Sequence, residues 1–427
     1  MALGPQQRPS ISRLTSSDAE GSRPQLTAQQ VVARLAELRG VHEAFAWFRA
    51  HARQLEDLQL ELTAIPAPPW GEAVRSEWMR SHFEASGLAE VQQDELGNVF
   101  GVLPGTDAEA RFVALSAHLD TVFPAGTPIQ VIREGGKLFG PGISDNGAGL
   151  TALLAIASGL RESGIEHTAP ILFIGNVGEE GEGNLRGIRH IFEQPQWLQS
   201  IDALVVLDGA GTDTVIAEGL GSRRYEVTVR GTGGHSWSDF GIPNPVVALA
   251  KIIDRFSKTT VPSSPKTTFN VGTVAGGTSV NSIPQSATMR VDTRSASVEQ
   301  LDRLEKALRE AVKDGTAETG GRKKLEALRA EVRLIGDRPA ADLPSDARLL
   351  KAIRAVDAQL NNHARMQRAS TDANIPLSLG REAIAIGAGG SGGGAHTMNE
   401  WYDSAGRDLG LKRILLLTLA LSGVLEE

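Results

Sequence analysis

The stretch ILFIGNVGEEGEGNLRG, residues 171–187, runs from an apolar segment into two adjacent glutamates, Glu179 and Glu180, that glycines flank. A short, unbroken apolar run that ends in glycine is typical of a strand buried on both faces of a parallel sheet. Neighbouring carboxylates repel each other, and removal from water increases the cost of their charge. The sequence therefore predicts that positive charge lies near this pair or that both side chains point into water.

Similar apolar runs occur on either side of this segment, and helical patterns separate them. The predicted strands are residues 98–104, 111–117, 170–176, 202–208 and 382–388, and the clearest helices are residues 147–164 and 185–199. Strands that alternate with helices of these lengths form an α/β fold with a mostly parallel sheet flanked by helices.

A different pattern occupies residues 221–335, where strands with alternating polarity and two amphipathic helices follow one another in a β-α-β-β-α-β order. The α/β pattern resumes at residues 345–362. We therefore predict a main domain from residues 27–220 and 336–427, an inserted smaller α+β domain from residues 221–335, and a flexible tail from residues 1–26.

The composition excludes several classes of protein. The chain has 427 residues, a formal net charge of -8 and no cysteine. An acidic balance argues against nucleic acid and anionic membranes as partners, and the lack of cysteine excludes disulfides, thiolate catalysis and Cys-ligated zinc. The first residues lack the apolar core of a secretory signal and no apolar run is long enough to cross a membrane, so we expect a cytoplasmic protein.

Acids and imidazoles follow the predicted strands at the points where ligands bind in open α/β sheets, beyond the carboxyl ends. These residues are His118 and Asp120, Asp145, Glu179 and Glu180, Asp208, and His396. Two imidazoles with several carboxylates suit Zn²⁺, with Co²⁺ or Mn²⁺ as alternatives. A carboxylate such as Asp145 can bridge two ions, and Asp120 can accept the far ring N–H of His118. The sequence thus predicts a pair of divalent metal ions.

Each of these residues also has an ordinary structural interpretation. Adjacent glutamates beside glycine commonly lie in a solvated loop, Asp145 can cap the helix at residue 147, and His396 can begin a helix. The segment GAGGSG, residues 387–392, matches the dinucleotide fingerprint G-x-G-x-x-G. No βαβ unit follows it and no strand ends in an acid about 20 residues on, so the dinucleotide interpretation is disfavoured.

Several motifs together make the chain similar to a known family. They are SAHLDTVFP, GISDNGAGLTALLAIA, GEEGEGNLRG, VVLDGAG, GGHSW, NSIPQSATMRVDTRS, STDANIP and GGAHTMNEW. In this order they resemble the cocatalytic zinc peptidases and deacylases, which include glutamate carboxypeptidase, peptidase T, acetylornithine deacetylase, succinyl-diaminopimelate desuccinylase and the aminoacylases. The resemblance covers about residues 55–410 and implies a zinc-peptidase-like main domain with an inserted lid and dimerisation domain.

The resemblance also implies a role for individual residues. One zinc would be held by His118, Asp208 and a bridging Asp145, and the other by Glu180, His396 and the same Asp145. Glu179 would be the general base and Asp120 the partner of His118. His235 would polarise the scissile carbonyl, often across a subunit interface, while Asn281 and Arg338 would hold the substrate's carboxylate. Arg338 also has the alternative of pairing with Asp337 or Asp342 on the surface.

The family likeness therefore predicts a dizinc exopeptidase that acts on small peptides and forms a homodimer through residues 221–335. An N-acyl-amino-acid deacylase of the same family is the first alternative, with an N-acyl amino acid as its substrate. A non-catalytic metal-binding or scaffold protein with this fold is the alternative from another class.

Overall fold

The computed structural model describes residues 10–11, 26–319 and 327–425. The chain divides into two compact units: unit 1 consists of Met1–Glu218 and Asp342–Glu427, and unit 2 of Gly219–Ala341. The expected tail, residues 1–26, lies outside the described residues except for Leu26 and the short strand Ser10–Ile11, which pairs antiparallel with Val424–Leu425.

Unit 1 contains the mostly parallel sheet flanked by helices that the sequence predicts, so the fold class is confirmed. Its strands in spatial order are Ala341–Asp342, Thr214–Gly219, Glu382–Ile386, Ile201–Leu207, Phe112–His118, Ile171–Asn176, Val99–Leu103 and Ala89–Gln93, with Arg365–Ala369 beside Thr214–Gly219. The four central strands, from Glu382–Ile386 to Ile171–Asn176, run parallel. Their carboxyl ends therefore meet at one edge of the sheet.

Helices and a small second sheet complete unit 1. The helices are Ala28–Glu37, Arg39–Ala50, Ala52–Thr63, Ala73–Ala85, Gly147–Ser163, Arg186–Glu193, Pro195–Ser200, Arg348–Gln359, Asn374–Ser378 and Arg407–Ser422, with a 3₁₀ turn at Gly181–Gly183. The second sheet has the order Ser391–Gly393, Trp401–Asp403, Lys137–Phe139 and Ile132–Glu134. The glycine-rich segment 387–392 thus leads into a strand and not into a helix, which is not the context of a dinucleotide fingerprint.

The helix Gly147–Ser163 fixes the position of the residue that precedes it. It is buried on nearly all sides, because small and aliphatic residues occupy every face. The side chain of Asn146 caps it by accepting the N–H of Gly149 at 3.1 Å and donates to the carbonyl of Leu207 at 2.9 Å. Because Asn146 is the cap, the carboxylate of Asp145 is not used by the helix.

Unit 2 has its own antiparallel sheet and its own apolar core. The sheet order is Thr267–Gly276, Ser286–Ser295, Gly221–Arg230 and Arg329–Arg338, and the helices Pro245–Ser257 and Val298–Ala317 pack on it. A short two-stranded ribbon joins Gly234–His235 to Ser282–Ile283. Tyr225, Ile252, Phe256 and Leu308 are among the fully buried residues of the core. This arrangement is the α+β insertion that the sequence predicts.

No helix in the described part of the chain is long and apolar enough to cross a membrane.

Candidate metal centre

The acids and imidazoles at the strand ends converge at one edge of the unit 1 sheet. His118 is the last residue of its strand, Asp208 follows Leu207 directly, and the loop after Asn176 carries Glu179 and Glu180. Parallel neighbours bring these three strand ends together, because residue 118 lies opposite residue 176 in the register. The segment before the helix Gly147–Ser163 and the loop after Ser391–Gly393 add Asp145 and His396.

Asp145 lies between the two imidazoles and presents a different oxygen to each. Its Oδ1 is 3.1 Å from Nε2 of His118, and its Oδ2 is 3.1 Å from Nε2 of His396. Glu180 Oε1 lies 2.9 Å from the same nitrogen of His396, and Asp208 Oδ1 lies 3.8 Å from Nε2 of His118. Asp145 is thus shared by two groups of side chains.

Three overlapping groups have ligand atoms that lie within 4.8 Å of one another. They are His118 with Asp145 and Asp208, Asp145 with Glu180 and His396, and His118 with Glu179 and Glu180. The first two match the two ligand sets implied by the family resemblance, and both contain Asp145. These groups form a candidate metal site in unit 1.

The carboxylate of Asp120 holds the loop of the adjacent glutamates. Its Oδ1 accepts the backbone N–H of Glu179 at 2.9 Å, and its Oδ2 accepts that of Glu180 at 2.8 Å. Nδ1 of His118 is 3.0 Å from the main-chain oxygen of Asp120 and 3.6 Å from Oδ1. The ring N–H therefore donates to the main-chain oxygen of Asp120, whereas the expected carboxylate lies farther away and accepts the two backbone N–H groups.

A second buried carboxylate, that of Glu400, holds the turn that presents Asp145. Its oxygens accept the backbone N–H groups of Gly142, Ser144 and Asp145, each at 2.8 Å. Burial raises the pKa of Glu400 to about 7, although these three hydrogen bonds act in the opposite direction.

Asp372 is a further buried acid behind the site. Asn176 donates to its Oδ2 at 2.7 Å. Burial raises the pKa of Asp372 to about 7, and the charges of Asp120 and Asp208 add to this effect, while His118 opposes it. Neither Glu400 nor Asp372 was among the residues selected from the sequence. The available signal was their position as acids within two of the family motifs, GGAHTMNEW and STDANIP.

The imidazoles carry raised pKa values because of the acids around them. Burial lowers the pKa of His118, but the neighbouring carboxylates of Asp120, Asp145 and Asp208 outweigh it and raise this pKa well above the ordinary value. Hydrogen bonds to Asp145 and Glu180 raise the pKa of His396 to about 10. Burial raises the pKa of Asp145, but its bonds to the two imidazoles dominate and lower it. Each group is therefore stabilised in its charged form.

The residues fit divalent metal ions on three grounds. The donors are imidazole nitrogens and carboxylate oxygens, which are the usual protein ligands of Zn²⁺ and Mn²⁺ in sites without cysteine. Their ligand atoms lie within 4.8 Å of one another in each group, and the acids raise the pKa of both imidazoles. Bound metal ions would replace the imidazole protons and supply the positive charge that the sequence predicts near Glu179 and Glu180.

The remaining predicted residues lie in unit 2. His235 lies on the short ribbon and Asn281 directly precedes its second strand; both are exposed, and the N–H of Ser236 donates to the main-chain oxygen of Asn281 at 3.0 Å. Arg338 ends the strand Arg329–Arg338 and is buried. Asp342 accepts a hydrogen bond from Nη2 of Arg368 at 2.9 Å.

A mostly parallel sheet with paired imidazole–carboxylate groups at its strand ends, together with a separate antiparallel unit, places the chain in the class of metal-dependent hydrolases. Residues 114–420 match the sequence model described as peptidase family M20/M25/M40, and the chain belongs to this family. The substrates of the family are peptides or acylated amino acids.

Individual relatives are distant. The uncharacterized protein YqjE of Bacillus subtilis is 24% identical over 363 residues, which are 82% of this chain and 92% of that protein. Carboxypeptidase G2 of Pseudomonas sp. is 27% identical over 219 residues, 50% of this chain and 51% of that protein, so the match spans about half its length. The structure of a tripeptidase from Staphylococcus aureus has a TM-score of 0.71 at 22% identity and covers 87% of this chain and 98% of that one. This last similarity shows the fold.

The raised imidazole pKa values predict that metal binding releases protons. We expect His118 and His396 to be protonated at pH 7 in protein stripped of metal, and an imidazole must lose its proton to bind a metal ion. We expect Zn²⁺ to displace about two protons per chain at this pH. Calorimetric titrations in buffers with different ionisation enthalpies would measure this number. The variant His396→Gln should release about one proton fewer.

The same pKa shifts predict how the stability of the metal-free protein depends on pH. A raised folded-state pKa stabilises the protein below the unfolded-state value of His, about 6.5, and this contribution is lost as pH rises through the folded pKa. For His396 that pKa is about 10. The melting temperature of chelator-treated protein should therefore decrease as the pH rises from about 6.5 to about 10. An increase over this pH range would contradict the proposed pairing of the imidazoles with the acids.

Proposed function

We propose that this chain is a dizinc exopeptidase that hydrolyses small peptides. The observation that carries the proposal is the position of Asp145, whose two oxygens face separate imidazoles at 3.1 Å each. A bridging carboxylate of this kind favours two ions over one. In this proposal His118 and Asp208 complete one site, and Glu180 and His396 complete the other.

Two bound Zn²⁺ ions would polarise the amide carbonyl and lower the pKa of water, which is the chemistry this reaction needs from a metal. Glu179 is buried and belongs to one of the ligand groups, but neither of the two groups that share Asp145 requires it. Its carboxylate takes the proton of the attacking water and later delivers it to the leaving amine. Asp120 keeps Glu179 in place, because its carboxylate accepts the N–H of both adjacent glutamates.

The named activities of relatives support a peptide or amide bond as the target. A tripeptidase and an aminopeptidase share the fold, and this chain matches carboxypeptidase G2 over about half the length of that protein. A probable succinyl-diaminopimelate desuccinylase of Staphylococcus aureus, 29% identical over 153 residues, supports the alternative of an N-acyl-amino-acid deacylase. The chemistry at the metal centre is the same in both cases, and only the group attached to the carbonyl differs.

Unit 2 supports a proposed homodimer. The strand Thr267–Gly276 lies at the edge of its sheet, and its second half is exposed, including Val274. An exposed edge strand is a template for pairing with a second chain. We propose that two copies pair at this edge, that His235 acts on the substrate bound by the partner copy, and that Asn281 and Arg338 bind the substrate's carboxylate.

Replacement of Glu179 tests the assignment of the general base. Glu179→Gln keeps the size of the side chain but cannot accept a proton, so kcat should fall roughly 10²- to 10⁴-fold. The zinc content, measured by atomic emission, should stay at the wild-type level. The exposed neighbour provides a matched control, since Glu182→Gln removes one carboxylate from the same loop and should leave kcat unchanged. Near-normal hydrolysis by Glu179→Gln would rule out this role.

A substrate panel separates the peptidase from the deacylase. Dipeptides, tripeptides and N-acetyl and N-succinyl amino acids would be assayed with Zn²⁺, Co²⁺ and Mn²⁺. The proposal predicts that kcat/KM for the best peptide exceeds that for the best N-acyl amino acid by about tenfold or more, a difference of about 1.4 kcal/mol in transition-state binding. The reverse order would identify a deacylase. No hydrolysis of any substrate in the presence of bound metal would favour the scaffold alternative.

Subunit complementation tests whether His235 acts across the dimer. His235→Ala and Glu179→Gln should each be nearly inactive. In a mixed dimer, the subunit with an intact Glu179 receives an intact His235 from its partner. Random exchange of subunits should therefore recover about a quarter of wild-type activity. No recovery in a mixture shown by ultracentrifugation to contain dimers would mean that His235 acts within its own chain or not at all.

A further inference from the structure

Glu400 is a fully buried acid to which the function so far assigns no role. Its carboxylate lies inside the turn formed by residues 140–145. Oε2 accepts the N–H of Gly142, and Oε1 accepts those of Ser144 and Asp145, all at 2.8 Å. Backbone N–H groups that converge on one point in this way form an anion-binding concavity. Here the anion is a side chain from a position more than 250 residues further along the chain.

The backbone of Glu400 holds the same turn. Its carbonyl oxygen accepts the N–H of Gly140 at 3.1 Å, and the strand that begins at Trp401 pairs with Lys137–Phe139, with Trp401 opposite Phe139. A Cβ added to Gly142 would lie 2.6 Å from Cγ2 of Thr121. Thr121 and Glu400 therefore both lie close against this turn.

Glu400 also belongs to the loop that presents the second imidazole. His396 lies four residues earlier. Two backbone hydrogen bonds hold this loop: the N–H of Thr397 donates to the carbonyl of Gly394 at 3.0 Å, and the N–H of Glu400 donates to the carbonyl of Thr397 at 3.3 Å. One residue thus connects the loop of His396 with the backbone of Asp145. These are two of the ligands proposed for the same ion.

We infer that Glu400 is a positioning residue for the metal centre, because it fixes the turn from which Asp145 reaches both imidazoles. This inference rests on the proposed function only in so far as metal ions bind at Asp145. A shift of the turn would move both oxygens of Asp145 at once, so both ions would be affected. Residues in the second layer around a metal commonly contribute about 10- to 100-fold to metal affinity, and we expect this range for Glu400.

Two substitutions separate position from charge. Glu400→Gln keeps the shape, but its NH₂ group would face one of the three backbone N–H groups, so two donors would meet. Glu400→Asp keeps the negative charge but retracts it by one carbon–carbon bond, about 1.5 Å, so that it cannot reach all three donors. If Glu400 acts by position, both variants should lose affinity for Zn²⁺. If its charge alone attracted the ions, Glu400→Asp would bind as the wild type does.

A matched control exists at the opposite end of the sheet. Glu382, at the start of its strand, accepts the backbone N–H groups of Arg348 and Leu349 at 3.0 and 3.1 Å. Glu382→Gln removes the same kind of backbone interaction far along the strand from the metal centre. It should lower the melting temperature of the metal-free protein without changing its affinity for Zn²⁺.

The experiment measures Zn²⁺ affinity by competition with a chromogenic chelator and the visible absorption of the Co²⁺-loaded protein, for the full-length wild type and the three variants. We expect Glu400→Gln and Glu400→Asp to bind Zn²⁺ about 10- to 100-fold more weakly, with altered Co²⁺ absorption, and Glu382→Gln to match the wild type. Wild-type affinity and absorption in Glu400→Gln, or wild-type values in Glu400→Asp alone, would overturn the inference. Failure of the wild type itself to bind metal would instead overturn the proposed function.

Discussion

Hydrogen bonds from backbone N–H groups to buried carboxylates hold the candidate metal centre together. Asp120 accepts two of them from the loop of Glu179 and Glu180, and Glu400 accepts three from the turn of Asp145. Loops that carry several acids would otherwise separate, because their charges repel one another. A buried carboxylate that binds the backbone of such a loop opposes that separation without occupying a ligand position.

The arrangement of the ligands could be predicted from sequence because it follows from the sheet. Once the runs 111–117, 170–176 and 202–208 are assigned to parallel strands, the acids and imidazoles behind them must meet at one edge. The use of the Asp120 carboxylate could not be predicted in the same way. A spacing of two residues allows His118 to donate to either oxygen type of Asp120, and the outcome depends on the position of the glutamate loop, about 60 residues further on. Glu400 lies within the motif GGAHTMNEW, but its role could not be predicted because its partners are backbone N–H groups, which leave no pattern in side-chain identity.

The order of strands and helices in unit 2 could be predicted from the local polarity pattern of the sequence. Its core of residues such as Tyr225 and Phe256 comes from the apolar positions of those same elements. The limits of the unit, Gly219 and Ala341, differ by a few residues from the limits of the pattern, 221 and 335. The pattern ends within the strand Arg329–Arg338, because its last residues are polar, although the ladder with Gly221–Arg230 continues to Arg338. The alternating polarity of the sequence thus indicates where unit 2 lies, whereas backbone pairing determines at which residue it ends.

Protonated imidazoles would offset the negative charge of this cluster of acids before metal ions bind. Asp145 would be costly as a buried anion, yet its two bonds to His118 and His396 lower its pKa. The imidazoles therefore act as temporary counter-charges in the places where metal ions would bind. Replacing a proton on each ring by a divalent ion would add positive charge among the same acids, which favours the metal.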